Sequence, residues 1–111
     1  MFKFESQGAV EVVTPELAIT QENAEQLLTA IAEKSFDGQP MVVLDMTHVP
    51  MIDSAGLEAL LDVQQALRES AGLLKLSGLT QLCADVFRVT GLAERFETFE
   101  DTNSAVRSFV K

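Results

Sequence analysis

Met41-Val42-Val43-Leu44 is a continuous apolar run, preceded by the turn-forming pair Asp37-Gly38 and closed by Asp45. A run this short, without polar alternation, marks a strand covered on both faces. Such a strand belongs inside a sheet with layers packed above and below it, and the flanking segments carry the periodicity of those layers. Upstream, residues 2–6 and 10–14 read as two strands separated by Gln7-Gly8-Ala9, which predicts a hairpin. Thr20 then caps a helix with Ala24, Leu27, Leu28 and Ile31 at the 3.6-residue period, ending near Lys34.

Downstream of the run, Pro50 and Ile52 lead into a helix over residues 54–70. Its inner stripe is Leu57, Leu60, Leu61 and Leu67, while Glu58, Asp62, Gln65, Arg68 and Glu69 face water, and Gly72 supplies the stop. Leu73-Leu74-Lys75-Leu76 is a further strand. Thr80 caps a third helix with Leu82, Cys83, Val86 and Phe87 on its apolar face, ended at Gly91. Residues 96–99 form a short last strand, and a final helix starting after Asp101 or Thr102 turns Val106, Phe109 and Val110 inward. This order predicts an α/β fold: a mixed sheet of four to five strands, with an N-terminal β-hairpin and about four helices packed on it. The 111 residues suit a single domain spanning 1–111.

Charge narrows the partners. With 17 acidic and 8 basic residues the formal net charge is −9, and no basic cluster is present. Nucleic-acid binding draws its affinity from Lys and Arg on phosphates, so that class is excluded, and anionic membrane surfaces repel the chain for the same reason. Two readings of the charge remain: partner proteins with a basic or apolar face, or an acidic surface that only keeps the chain in solution, and charge alone favours the second. The start of the chain lacks the apolar core of a secretory signal, and no run approaches the roughly 18 apolar residues of a membrane span. The cytoplasm is the expected location, with no insertion into a membrane.

Enzymatic and metal chemistry find little support. Cys83 is the lone cysteine, on a helix's apolar face, and reads as a small buried hydrophobe. His48 is the lone histidine and reads as a polar loop residue. A Ser-His-Asp set from Ser54, His48 and a nearby Asp lacks the Gly-x-Ser-x-Gly elbow that would present the nucleophile. No glycine-rich phosphate loop, dinucleotide fingerprint or metal-ligand set occurs, so neither cofactor nor metal is expected.

The strongest local signal is Met51-Ile52-Asp53-Ser54-Ala55-Gly56-Leu57, where a buried strand and a short loop give way to a helix. The first amides of a helix have no internal partner and lie at the positive end of its dipole, so an anion is stabilised there. Ser54 at this mouth is either a plain cap, a role Ser and Asp favour by about 1 kcal/mol over Ala, or the carrier of a phosphate. Ala55 and Gly56 keep the first turn small, open to an approaching backbone or kinase.

The segment from Val42-Val43-Leu44-Asp45 through Ile52-Asp53-Ser54-Ala55-Gly56-Leu57 resembles the signature of STAS domains, in which a strand leads into an Asp-Ser-Ser-Gly-Leu type loop and helix. Thr90-Gly91-Leu92 followed by Phe96 is similar to that family's Thr-Gly-Leu and following Phe, and the order of elements agrees from Val10 to Phe109. In free-standing members, the anti-sigma factor antagonists, the Ser after the Asp is phosphorylated by an anti-sigma factor with serine kinase activity, and a phosphatase reverses it. The unphosphorylated form binds that partner and so releases a sigma factor. The resemblance implies this role for Ser54, with Asp53, Ala55, Gly56, Met51, Glu16 and Leu17 facing the partner. Two departures stand out: Ala55 occupies the place of a common second Ser, and Pro15-Glu16-Leu17 stands where Gly-Glu-Leu-Asp is frequent. STAS-like domains also serve as accessory subunits of lipid-transport ABC complexes and in signalling scaffolds, which is the alternative reading. An exposed hairpin edge can also pair two copies as a homodimer.

Overall fold

A computed structural model describes residues 2–34, 36 and 38–109. Strands β1 (Phe2–Gln7) and β2 (Val10–Pro15) form the hairpin, followed by α1 (Ala24–Ala32), β3 (Met41–Asp45) and α2 (Ser54–Arg68). Then come β4 (Leu73–Ser77), α3 (Gln81–Val89), a 3-10 turn (Ala93–Arg95), β5 (Glu97–Phe99) and α4 (Thr102–Phe109). The five strands make one mixed sheet in the order β1-β2-β3-β4-β5, antiparallel at β1–β2 and parallel from β2 onward.

Alternation along the strands divides the sheet into two faces. Val42 and Leu44 of β3, Leu74 and Leu76 of β4 and Val13 of β2 join Leu27, Ile31, Leu57, Leu60, Val63, Leu67, Cys83 and Phe87 of the first three helices in the larger core. Val10, Val12 and Val43 point the other way, against Ala105 and the half-buried Val106 and Phe109 of α4. The doubly covered strand read from the apolar run is β3. On the α4 face sits the buried Lys75, whose Nζ donates to Ser108 Oγ at 2.6 Å, lies 3.6 Å from Glu97 and stacks 4.2 Å from the Phe109 ring centroid. A lysine is tolerated in this strand because its ammonium is paired and its stem covered.

Several local expectations are corrected. The residue preceding α1 is Asn23, not Thr20. Asn23 turns its side chain backward, accepting from the Thr20 amide at 3.0 Å and donating to Ala18 O at 2.7 Å, while Thr20 opens the turn before the helix. α2 stops at Arg68, and the left-handed residue beyond it is Ala71 (φ 60) rather than Gly72. Gly72 is needed for space: a Cβ there would lie 2.7 Å from Pro40. Leu82 is 53% exposed, because Cys83 and Phe87 set the inward direction of α3 and Leu82 lies about 100° round from Cys83. Phe96 precedes β5 and is buried edge-on against the Phe87 ring. Val110 lies outside the described residues.

Candidate functional site

At the carboxyl ends of β2 and β3, two loops are laced together above the sheet. Ile19 and Ile52 form a parallel bridge; the Ile19 amide donates to Met51 O at 3.1 Å and the Asp53 amide to Ile19 O at 3.2 Å. Both isoleucines are buried, which anchors the bridge from below. On the far flank, Thr80 Oγ1 donates to Val49 O at 3.2 Å, and Cys83 Sγ lies 3.4 Å from the same oxygen. The loop from Thr47 to Asp53 is thus held by α3 on one side and by the segment before α1 on the other.

Asp53 closes the arrangement. It is the N-cap of α2: its Oδ1 accepts from the Gly56 amide at 2.9 Å, and its Oδ2 accepts from the Gln21 amide at 3.1 Å. Its carbonyl accepts from the Leu57 amide at 2.9 Å. The capping task therefore falls to Asp53, and Ser54 is released from it. Ser54 occupies the first helical position with its side chain exposed. With the Gly56 and Leu57 amides satisfied, the amides of Ser54 and Ala55 are, among the described residues, the donors left at the positive end of α2.

Gly56 plays an internal part. A Cβ on it would press against Ile19 O and come within 2.6 Å of Ile52 Cγ1, so the space it leaves is filled by the chain's own bridge. Met51 (43% exposed) and Leu17 (37% exposed) are the two large apolar side chains that the laced segments leave in solvent. Glu16 is exposed and pairs with Lys3 at 3.4 Å. The structure thus brings Glu16, Leu17, Met51, Asp53, Ser54 and Ala55 to one end of the sheet, with Gly56 buried beneath. Ile19 and Gln21 also build the site and were not legible in the sequence, because each acts through a backbone contact to a segment about thirty residues away.

His48 is exposed. The carboxylate of Asp45 is engaged by Thr47, whose amide and hydroxyl donate to Oδ1 at 3.0 and 2.6 Å. Among the described residues no cluster of His, Cys, Asp and Glu is arranged to hold a metal ion, and no helix is long and apolar enough to cross a membrane.

Comparison with known proteins places these features in a family. The family model described as the STAS domain matches residues 2–105. BtrV of Bordetella bronchiseptica, provisionally classed as an anti-sigma factor antagonist, is 33% identical over 91 residues, covering 82% of this chain and 78% of BtrV. A crystal structure from Thermotoga maritima, of a protein given the same provisional class, superposes with a TM-score of 0.89 at 18% identity, covering 99% of this chain and 95% of that one. SpoIIAA from Bacillus in its phosphorylated form superposes with a TM-score of 0.70 at 18% identity, covering 98% of this chain and 99% of that one. The structural likenesses carry the fold, and the family model carries membership: this chain belongs to the STAS domain family.

Proposed function

We propose that this chain is a protein-binding switch of the anti-sigma factor antagonist type, controlled by phosphorylation of Ser54. Its partner is an anti-sigma factor with serine kinase activity, which it binds when Ser54 carries a free hydroxyl; a phosphatase acting on phospho-Ser54 restores binding. The observation that carries this reading is the division of labour at the start of α2. Asp53 supplies the cap and the loop clamp, which leaves Ser54 exposed at the first position of α2. The likeness to BtrV supports the same reading.

The physical basis is a spoiled interface. Met51 and Leu17 offer apolar area that a partner can cover, and the exposed Ser54 follows Met51 by three residues on the same laced segment. Phosphorylation adds about −1.5 to −2 charges there. The fold tolerates the group, because a phosphate on Ser54 stands at the positive end of α2, where the first helical amides favour an anion. A partner surface shaped for a hydroxyl instead meets a hydrated anion, and burying that anion unpaired costs several kcal/mol. Each 1.4 kcal/mol is about tenfold in affinity.

Mass-spectrometric phosphosite mapping on protein from its native cell, joined to capture of its partners, tests the reading. Phosphate on Ser54 and recovery of a serine-kinase anti-sigma factor are expected. Recovery of an ATP-driven transporter subunit with an unmodified Ser54 would instead favour a lipid-transport accessory role.

A further inference from the structure

We infer that the outer edge of β1 is a self-recognition surface, on which a second copy of this chain adds its own β1 antiparallel in one register centred on Phe4. β1 is an end strand of the sheet, paired with β2 alone among the described residues. The hairpin fixes which backbone groups are free. Gly8 and Ala9 form a two-residue turn, so the closing pair Gln7–Val10 exchanges hydrogen bonds, and so do Glu5–Val12 and Lys3–Thr14 by alternation. Phe2 then falls in a non-bonded pair with Pro15, as it must, since proline has no amide to give. The N–H and C=O groups of Phe2, Phe4 and Ser6 therefore point outward, unused by the sheet.

Symmetry leaves few ways to use them. In an antiparallel pair of identical strands, outward residues must face outward residues, so the numbers of facing residues sum to an even value. A sum of 6 sets Lys3 against Lys3 of the second copy, and a sum of 10 sets Glu5 against Glu5. Both place like charges directly opposite, which is unfavourable. A sum of 8 sets Phe4 on the twofold axis, pairs Phe2 with Ser6, and sets Lys3 opposite Glu5 twice. Those Lys–Glu pairs fall in non-bonded positions, where facing side chains approach most closely. Charges on an edge strand ordinarily block pairing; here they block the two neighbouring registers, and sums of 4 or 12 bring only one outward strand residue of each copy face to face, which leaves the sum of 8. The exposed contact of Lys3 with Glu16 is weak enough to be given up.

The resulting dimer is a continuous ten-stranded sheet with its helical layers on the same side in both copies. Because the strands run oppositely across the axis, the two Ser54 surfaces lie at opposite ends, and each remains free to meet a partner. This interface does not depend on the role of Ser54.

Sedimentation velocity over a range of concentrations, at fixed salt, tests it with a charge-swap set. Wild type is expected to self-associate to a dimer, and Lys3→Glu and Glu5→Lys each to weaken association about tenfold or more. Lys3→Glu with Glu5→Lys in the same chain restores opposite charges and should restore the dimer. Circular dichroism of each variant verifies that the fold is retained. A wild type that stays monomeric, a Lys3→Glu variant as dimeric as wild type, or a double variant no tighter than its parents overturns the inference.

Discussion

The Oδ2 atom of Asp53 accepts a hydrogen bond from the backbone amide of Gln21 at 3.1 Å, joining the start of α2 to the turn before α1 across 32 residues of sequence. One carboxylate thus does two things: it caps a helix and fixes the second loop of the site against the first. The apolar side chains of Leu17 and Met51 sit on those two segments, so their relative placement depends on this clamp together with the Ile19–Ile52 bridge.

Replacing Asp53 by Ala removes both acceptors and leaves the Gly56 and Gln21 amides without them. A loss of about 2 kcal/mol is expected, seen as a fall in Tm of about 10 °C. Asp53→Asn keeps one acceptor oxygen and should lose about half as much. Thermal unfolding followed by circular dichroism measures both. Equal stability of Asp53→Ala and wild type would contradict the clamp.

Gly56→Ala would raise helix propensity by about 1 kcal/mol if the position were free. The added methyl meets Ile19 O and the Ile52 side chain, so overpacking of about 1–3 kcal/mol is expected to win. Urea unfolding should show a lower midpoint with little change in slope. A variant more stable than wild type would mean that the loop lifts away at no cost.

The end of α2 offers a test with opposite signs at adjacent residues. Ala71 holds a left-handed backbone with a Cβ, whereas Gly72 has no positive φ and lies against Pro40. Ala71→Gly should gain up to about 1 kcal/mol, and Gly72→Ala should lose about 1–3 kcal/mol. Chemical denaturation of the two variants side by side checks the ordering.

Much of the fold could be read ahead of the structure because its signals are local. The Met41–Asp45 strand is an apolar run, the hairpin has a glycine turn, and α2 and α4 begin where polar caps stand. The site was legible only in part for the same reason. Met51 to Gly56 is one continuous segment, so its place at a helix mouth followed from the strand before it. Asp53 and Ser54 are equally good caps by composition; Asp53 takes the role and also accepts from the Gln21 amide, a partner no local pattern reveals. The roles of Gly56 and Gly72 are likewise tertiary, set by Ile19 and Pro40. Leu82 misled because a helix with a narrow buried stripe leaves neighbouring apolar residues in solvent.

At the other end of the chain, Asp101 Oδ1 accepts from the Ser104 amide at 2.7 Å, at the first turn of α4. This backbone hydrogen bond, followed by one from the Ser104 side chain, holds the Asp101 carboxyl below its ordinary value of 3.8. A depressed folded value means that the stabilisation is fully present above the ordinary value and is lost as pH falls through the folded one. The difference in Tm between wild type and Asp101→Asn should therefore be steady near neutral pH and change only below about pH 4. A difference that changes between pH 6 and 8 instead would assign the effect to another group.

The affinity of the purified protein for the proposed serine-kinase anti-sigma partner, measured by isothermal titration calorimetry with Ser54 unmodified and with Ser54 phosphorylated, decides whether Ser54 is the switch. Phosphorylation is predicted to weaken binding by about a hundredfold or more, with Ser54→Asp weakened in the same direction and Ser54→Ala binding as tightly as the unmodified protein. Unmodified and phosphorylated forms that bind within about twofold of each other would contradict it.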